Sequence, residues 1–337
     1  MKLLIVTQVM DKNHPILGFF HRWVEEFAKD FDEIHVICLE KGECDLSRHV
    51  RVYSLGKEDG ENNIKYVFRF YKYFGHVYFK KDIDFVFFHM GAVFTLFAIP
   101  FALLRHFKKV PFYWWKAHGY IGLRERVSLL FVDEVVTSTA SGFQLNTKKR
   151  RVVGQAIDTS FFTPSKESSG KKRVLFVGRV MPVKHLEVFA EVAKQLIQKG
   201  YSFTIVGPVG DDSYMRTLQP LFQSAEVEYR GGLPYDELPD LYRQYDFFLN
   251  TSLTHSMDKT VLEAALCGCI PLTANRAFKE LLQPYGLYFN DQDVDGYVEK
   301  IISTDTRTTI AVTQALQTDI RAQHSLHTFT QRIFDIV

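Results

Sequence analysis

This sequence has almost no surplus of either charge: 41 Lys and Arg stand against 39 Asp and Glu, a formal net charge of +2. That excludes the one-signed surface by which a nucleic-acid partner would be recognised, so any anion site must be local. Cysteine is scarce as well. The four, Cys38, Cys44, Cys267 and Cys269, lack a second Cys or His pair at zinc-ligand spacing, and buried thiols in a reducing compartment are expected. No Gly-x-Gly-x-x-Gly follows the first strand of either half, which argues against nicotinamide chemistry. Repeats of fixed period and low-complexity tracts are absent. No cleavage pattern follows Leu3-Leu-Ile-Val6, which reads as a first strand and the chain as cytoplasmic. Only Phe85 to Leu104 is nearly charge-free over the length of a bilayer crossing, about 20 residues. His89, Gly91 and Pro100 divide it into a buried strand (85–88), a turn (89–91) and a core helix running to Arg105.

What is present is chain length and apolar content. With 337 residues the chain exceeds the size of one core, and a 46% hydrophobic fraction lets each of two domains bury its own. Short β-rich runs alternate with helical patterns, which predicts α/β architecture with parallel sheets covered on both faces. Strands are expected at 3–7, 34–39, 50–54, 84–88, 110–115 and 134–138, then at 173–177, 203–206, 226–229, 247–250, 270–273 and 287–289. Residues 186–199 carry an amphipathic helix stopped by Gly200. The polar, turn-rich stretch 161–172 reads as a linker. Domains are therefore expected over 1–160 and 173–315, with 316–337 a C-terminal helix that can cross back to the first domain.

Three segments carry chemistry. In Val174-Leu-Phe-Val-Gly178-Arg179-Val-Met-Pro-Val-Lys184 a buried strand feeds a glycine turn, two spaced cations and a helix. Free N–H groups at that helix start, with Arg179 and Lys184, suit a diphosphate; the plainer reading is two solvated cations. Tyr229-Arg-Gly231-Gly232-Leu233-Pro closes a strand on paired glycines that let a flat base approach the backbone, or is ordinary α/β punctuation. In Asn250-Thr-Ser-Leu-Thr-His255-Ser256-Met257-Asp-Lys-Thr260-Val261-Leu-Glu263 a polar loop enters a helix near Thr260, aiming its positive end at any bound anion. Glu263, one turn in, can accept from ribose hydroxyls or be surface decoration.

Together these segments, in this order, resemble the retaining glycosyltransferases of family 4. That family has the GT-B fold, two Rossmann-like doubly wound parallel-sheet domains facing a central cleft. The likeness is specific over most of 173–290. It is looser in the first half, at the Gly18 loop, His118-Gly119, Ser138 and Gly154-Gln-Ala-Ile-Asp158. The resemblance implies that Arg179 and Lys184, after Gly178, hold the diphosphate and act in catalysis. Glu263 holds the ribose, the backbone at Thr260 and Val261 the phosphates, and Tyr229, Gly231, Gly232 and Leu233 border the base. Gly18 permits close approach to the donor phosphates, and His118 lies beside the donor sugar as a catalytic group. His255, Ser256 and Met257 line the donor loop. The family's paired glutamates stand eight positions apart, so His255 occupies the place of the first, and Ser256 and Asp258 replace the usual glycines.

The implied activity is metal-independent transfer of a sugar, with retention, from a UDP- or GDP-sugar to a glycan or lipid-linked hydroxyl. The triplets Asp82-Ile-Asp84, Asp291-Gln-Asp293 and Asp293-Val-Asp295 read as solvated turns rather than metal ligands. Aromatic and basic residues mingle at 68–81 and 105–116, which suits a peripheral face on anionic membrane or a packed core with a cationic rim. A nucleotide-sugar epimerase of the same architecture and a non-catalytic nucleotide-sugar or glycan-binding protein stay open beside the transferase.

Overall fold

The structure, a computed structural model, describes residues 1–104, 108–164 and 172–335, with backbone alone at 306–309. The chain divides into two compact units, Met1–Ala156 with Leu326–Val337, and Ile157–Ser325. Most of the expected linker (165–171), and the expected helix end at Arg105, lie outside the described residues.

In the first unit the order is β1 (Lys2–Met10), α1 (Phe19–Phe27), β2 (Glu33–Lys41), β3 (Val50–Ser54), α2 (Asn63–Lys80), β4 (Phe85–His89), α3 (Ala92–Phe97), α4 (Ile99–Leu103), β5 (Phe112–Trp115), α5 (Leu123–Phe131), β6 (Glu134–Thr137) and β7 (Arg150–Val152). All seven strands are parallel in the order β3-β2-β1-β4-β5-β6-β7. Because strand side chains alternate, β1 feeds two separate cores. Leu3 and Ile5 pack with Trp23 and Phe27 of α1, while Leu4 and Val6 pack with Phe70, Phe74 and Val77 of α2. The chain's last helix, Phe329–Phe334, closes the first of these cores, with the Phe329 ring centroid 4.6 Å from that of Trp23.

The second unit runs β8 (Arg173–Val177), α6 (Leu186–Leu196), β9 (Ser202–Val206), α7 (Asp212–Ser224), β10 (Val227–Tyr229), α8 (Leu238–Tyr242), β11 (Phe247–Asn250), α9 (Lys259–Leu266), β12 (Ile270–Thr273), α10 (Lys279–Leu282), α11 (Val294–Ser303) and α12 (Thr306–His324). Its parallel sheet has the order β10-β9-β8-β11-β12. The chain steps outward from β8 through β9 to β10, then returns to the other side of β8. The gap between β8 and β11 is therefore the topological switch point, where open α/β sheets receive ligands. Gln317 of α12 donates to the Ala265 and Leu266 carbonyls, so the last turn of α9 is anchored from outside.

Several expectations need correction. The strand β7 was not anticipated: Arg150-Arg-Val is short and charged, the composition of a sheet edge rather than a core. Residues 287–289 form no strand; Gly286 turns at φ +63° and a single bridge joins Tyr288 to Thr273. The boundary at 315/316 falls inside α12, which lies wholly in the second unit. The core helix after His89 is broken into α3 and α4, with Pro100 in the first turn of the latter. No helix among the described residues is long and apolar enough to cross a membrane.

Candidate functional site

Three loops of the second unit are knitted together through glycine backbone. The Gly178 N–H donates to the Val206 carbonyl at 2.9 Å, and the Gly207 N–H to the Gly231 carbonyl at 2.7 Å. A Cβ on Gly207, at φ +150°, would stand 1.9 Å from the Gly178 carbonyl oxygen, so only glycine fits there. Val180 donates to the Pro208 carbonyl and Tyr229 Oη to the Gly207 carbonyl. Gly231, at φ +71°, has open space where a side chain would be. Gly232 is exposed beside Pro208, and Leu233 packs half-buried on the core. This framework fixes the backbone of Arg179, whose guanidinium is exposed and makes no hydrogen bond or ion pair among the described residues.

Lys184 is brought to the switch point. It ends a short 3-10 turn (Pro182–Lys184), after which His185 sits at φ 49° and α6 begins. Its alkyl chain runs back over Gly178, with Cε 3.8 Å from where a Cβ there would lie. Its ammonium meets Asp258 Oδ2 at 2.8 Å. Asn250 Nδ2 donates to that same oxygen at 3.0 Å, Thr273 Oγ1 donates to Asn250 Oδ1 at 3.1 Å, and Thr251 Oγ1 donates to the Lys184 carbonyl at 2.6 Å. The ends of β8, β11 and β12 thus share one polar network.

The expectation of free N–H groups at the start of α6 is not met. Lys184, His185 and Val188 donate within the turn, and Leu186 donates to Tyr214 Oη at 2.7 Å. Tyr214 in turn donates to Glu187, so α6 is capped from within the protein. The start of α9 differs: its N-cap residue Asp258 makes no side-chain cap bond. Thr260 lies half-buried there, and the Val261 N–H reaches back to the Asp258 carbonyl at a long 3.3 Å.

Glu263 is buried rather than superficial. Its two oxygens accept one hydroxyl each, from Tyr235 and Tyr242, both at 3.2 Å. Burial pushes its carboxyl upward from the usual carboxylate range, and the charge of Lys259 one turn earlier opposes that shift. In the preceding loop His255 is exposed, while the Ser256 side-chain oxygen is buried with no hydrogen-bond partner among the described residues. The Ser256 carbonyl accepts from Asn275 Nδ2 at 2.9 Å. The Met257 side chain turns into the hydrophobic core, which leaves its backbone to line the donor loop.

Two expected residues belong to the first unit. A Cβ on Gly18 would lie 2.7 Å from the Lys12 carbonyl oxygen and 2.8 Å from that of His14, which gives this glycine a local steric reason. His118 is exposed beyond β5, and its Nδ1 accepts the Tyr120 N–H at 3.2 Å. The structure thus gathers Gly178, Lys184, Glu263 and the start of α9 within the second unit, and sets Arg179 at the same strand end. Sequence reasoning did not assign Gly207, Asn250 or Asp258. The glycine directly after β9 repeats the pattern of Gly178 after β8 and was the available signal. The Asp258 pairing spans 74 residues and left none.

Comparison with known proteins bears on the fold and on the family of the second unit. Residues 171–304 match the family described as "Glycosyl transferases group 1". The whole chain resembles a sucrose-phosphate synthase from Thermosynechococcus elongatus at 13% identity, covering 99% of this chain and 98% of that one, with a TM-score of 0.78. A mutant of S. aureus TarM in complex with fondaparinux, α-GlcNAc-glycerol and UDP matches at 10% identity, 99% coverage of both chains and a TM-score of 0.73. A putative UDP-N-acetylglucosamine 2-epimerase from Listeria monocytogenes matches at 11% identity, 99% and 95% coverage and a TM-score of 0.64. No curated protein matches the sequence. The fold is GT-B, and the family match over the second unit supports glycosyl transfer.

Proposed function

We propose that this chain is a retaining glycosyltransferase, taking a sugar from a UDP- or GDP-sugar held by the second unit to a glycan or lipid-linked hydroxyl held by the first. The observation that carries the reading is the meeting of Lys184 with the start of α9 at the switch point; Arg179, just after β8, makes no ion pair among the described residues. In the reaction the bond from the anomeric carbon to the β-phosphate oxygen breaks with its electron pair leaving on that oxygen. The acceptor oxygen bonds the same carbon, and its proton passes to the departing phosphate. Arg179 and Lys184 neutralise the charge that develops, each such donor typically contributing about 3 kcal/mol in the transition state. The two cations and the α9 dipole do this without a metal, so EDTA should leave turnover intact. Glu263 keeps a second lone pair on each oxygen for ribose hydroxyls. Tyr229 to Leu233 border the base, with Thr260 and Val261 at the phosphates. His255 faces the sugar, and His118 and Gly18 serve from the first unit.

Incubation with a panel of UDP- and GDP-sugars and glycan or lipid-linked acceptors tests the reading. A transfer product is expected, and Lys184→Ala should lower turnover about 100-fold. Sugar interconversion with donor alone would mark an epimerase instead, and nucleotide binding with no turnover a non-catalytic binder.

A lipid-linked acceptor fits one surface of the first unit. Along α2, Ile64, Phe68 and Phe79 stand 80%, 71% and 54% exposed on one helical stripe, and Lys65, Lys72 and Lys80 flank it. Exposed rings beside lysines suit the headgroup level of an anionic bilayer. Pelleting with anionic liposomes at low salt is expected for the wild type and should be lost in Phe68→Asp; a wild type that stays in the supernatant removes the membrane contact.

A further inference from the structure

We propose that Asp258 sets how tightly the diphosphate site grips spent nucleotide relative to donor, by competing for Lys184. The inference rests on the donor-site reading above. An aspartate at a helix N-cap ordinarily turns its carboxylate onto the helix's own N–H groups. Asp258 does not. Its Oδ2 holds the Lys184 ammonium and the Asn250 amide instead, with the Lys184 and Asp258 side chains only 13% and 18% exposed. A carboxylate thus already occupies the ammonium assigned to the phosphates, at the positive end of α9. Any diphosphate arriving there must share Lys184 with a second anion. Arg179 has no such competitor among the described residues.

The penalty depends on the charge of what is bound. In a nucleotide-sugar the β-phosphate is esterified and carries one charge. Once the bond to the anomeric carbon breaks, that phosphate becomes terminal and ionises a second time with a pKa of about 6. The free nucleoside diphosphate therefore carries about one charge more near pH 8. Coulomb repulsion scales with the product of the charges, so a fixed carboxylate disfavours the product more than the donor. The role of Asp258 is to hasten release of the spent nucleotide and limit product inhibition.

Calorimetric titration of the wild type, Asp258→Asn and Asp258→Gly with UDP, UDP-glucose, GDP and GDP-mannose near pH 8 tests this, with thermal midpoints reporting the fold. Both variants should tighten the free diphosphate about tenfold and its sugar conjugate by less. An unchanged ratio, or weaker binding of both ligands in both variants, would overturn the proposal and make Asp258 a residue that merely positions Lys184. Lys184→Ala separates the two levels. If it abolishes a wild-type affinity while the Asp258 variants leave the ratio alone, only this inference fails. If the wild type binds none of the four and Lys184→Ala behaves alike, the donor-site reading fails and takes this inference with it.

Discussion

Removing one hydroxyl, in Tyr242→Phe, tests the electrostatics around Glu263. Tyr242 is fully buried and donates to Glu263 Oε2 at 3.2 Å, and phenylalanine keeps its volume, so the loss is confined to one donor. A hydrogen bond to an ionised group contributes about 1.5–3 kcal/mol, and one between neutral groups about 0.5–1.5. The protonation state of Glu263 therefore decides the cost. Burial raises its folded pKa, so the stability this carboxyl contributes is complete below the ordinary carboxylate range and is lost as pH rises through the raised value. The Tyr242 hydroxyl favours the ionised form, and deleting it moves the carboxyl further up. The variant should be destabilised by about 1 kcal/mol near pH 5 and about 2–3 kcal/mol near pH 8. Urea unfolding followed by far-UV circular dichroism is the assay, because Trp23, Trp114 and Trp115 all lie in the first unit. An equal cost at both pH values, or a larger one at pH 5, would refute the reasoning.

Gly207→Ala should cost about 2 kcal/mol or more in stability and lower nucleotide affinity, since its methyl would lie 1.9 Å from the Gly178 carbonyl oxygen; thermal unfolding and titration with UDP check both. Trp23→Ala, in the core closed by Phe329, should cost about 3–5 kcal/mol by chemical denaturation. Burial lowers the His35 pKa to about 4, so the folded ring stays neutral while the unfolded one takes a proton near its ordinary value. Its stability contribution is complete above about pH 6.5 and is lost as pH falls toward 4, with Glu33 opposing the loss; His35→Gln should flatten that slope in midpoints measured between pH 7.5 and 4.5.

The central strands were legible because each reads as an unbroken apolar run, as Leu3 to Val6 and Val174 to Val177 do, which only a sheet buried on both faces requires. The edge strand was not. Arg150 and Arg151 carry no apolar signal, and part of what holds them is remote: Arg151 pairs with Glu134 on β6 and also with Asp335, 184 positions away. For the site, the sequence could nominate only residues that act through their own neighbours in the chain, Gly178 with Arg179 and Lys184, and the helix start before Glu263. Two helix starts offered themselves equally as anion sites. Only the fold shows that Tyr214 Oη fills the one at α6, leaving the one at α9. For Glu263 the chain alone left a ribose partner and surface decoration open; in the fold Tyr235 and Tyr242 enclose it.

Position 258 is where local and tertiary information part most sharply. Taken along the chain, Asp258 is one more residue of a polar loop; in space it is the counterion of Lys184. This sets a condition that neither residue meets alone. In Lys184→Ala the site loses one positive charge and exposes a carboxylate that Asn250 alone then holds, so incoming phosphates meet an unneutralised anion. Removing that anion as well, in Lys184→Ala with Asp258→Ala, restores the local charge to the neutrality of the wild-type pair and leaves Arg179 to bind. The double variant should therefore recover about tenfold of the UDP or GDP affinity lost by Lys184→Ala alone. Additive losses, with the double variant weaker than either single one, would mean that Asp258 supports the phosphate site rather than competing within it.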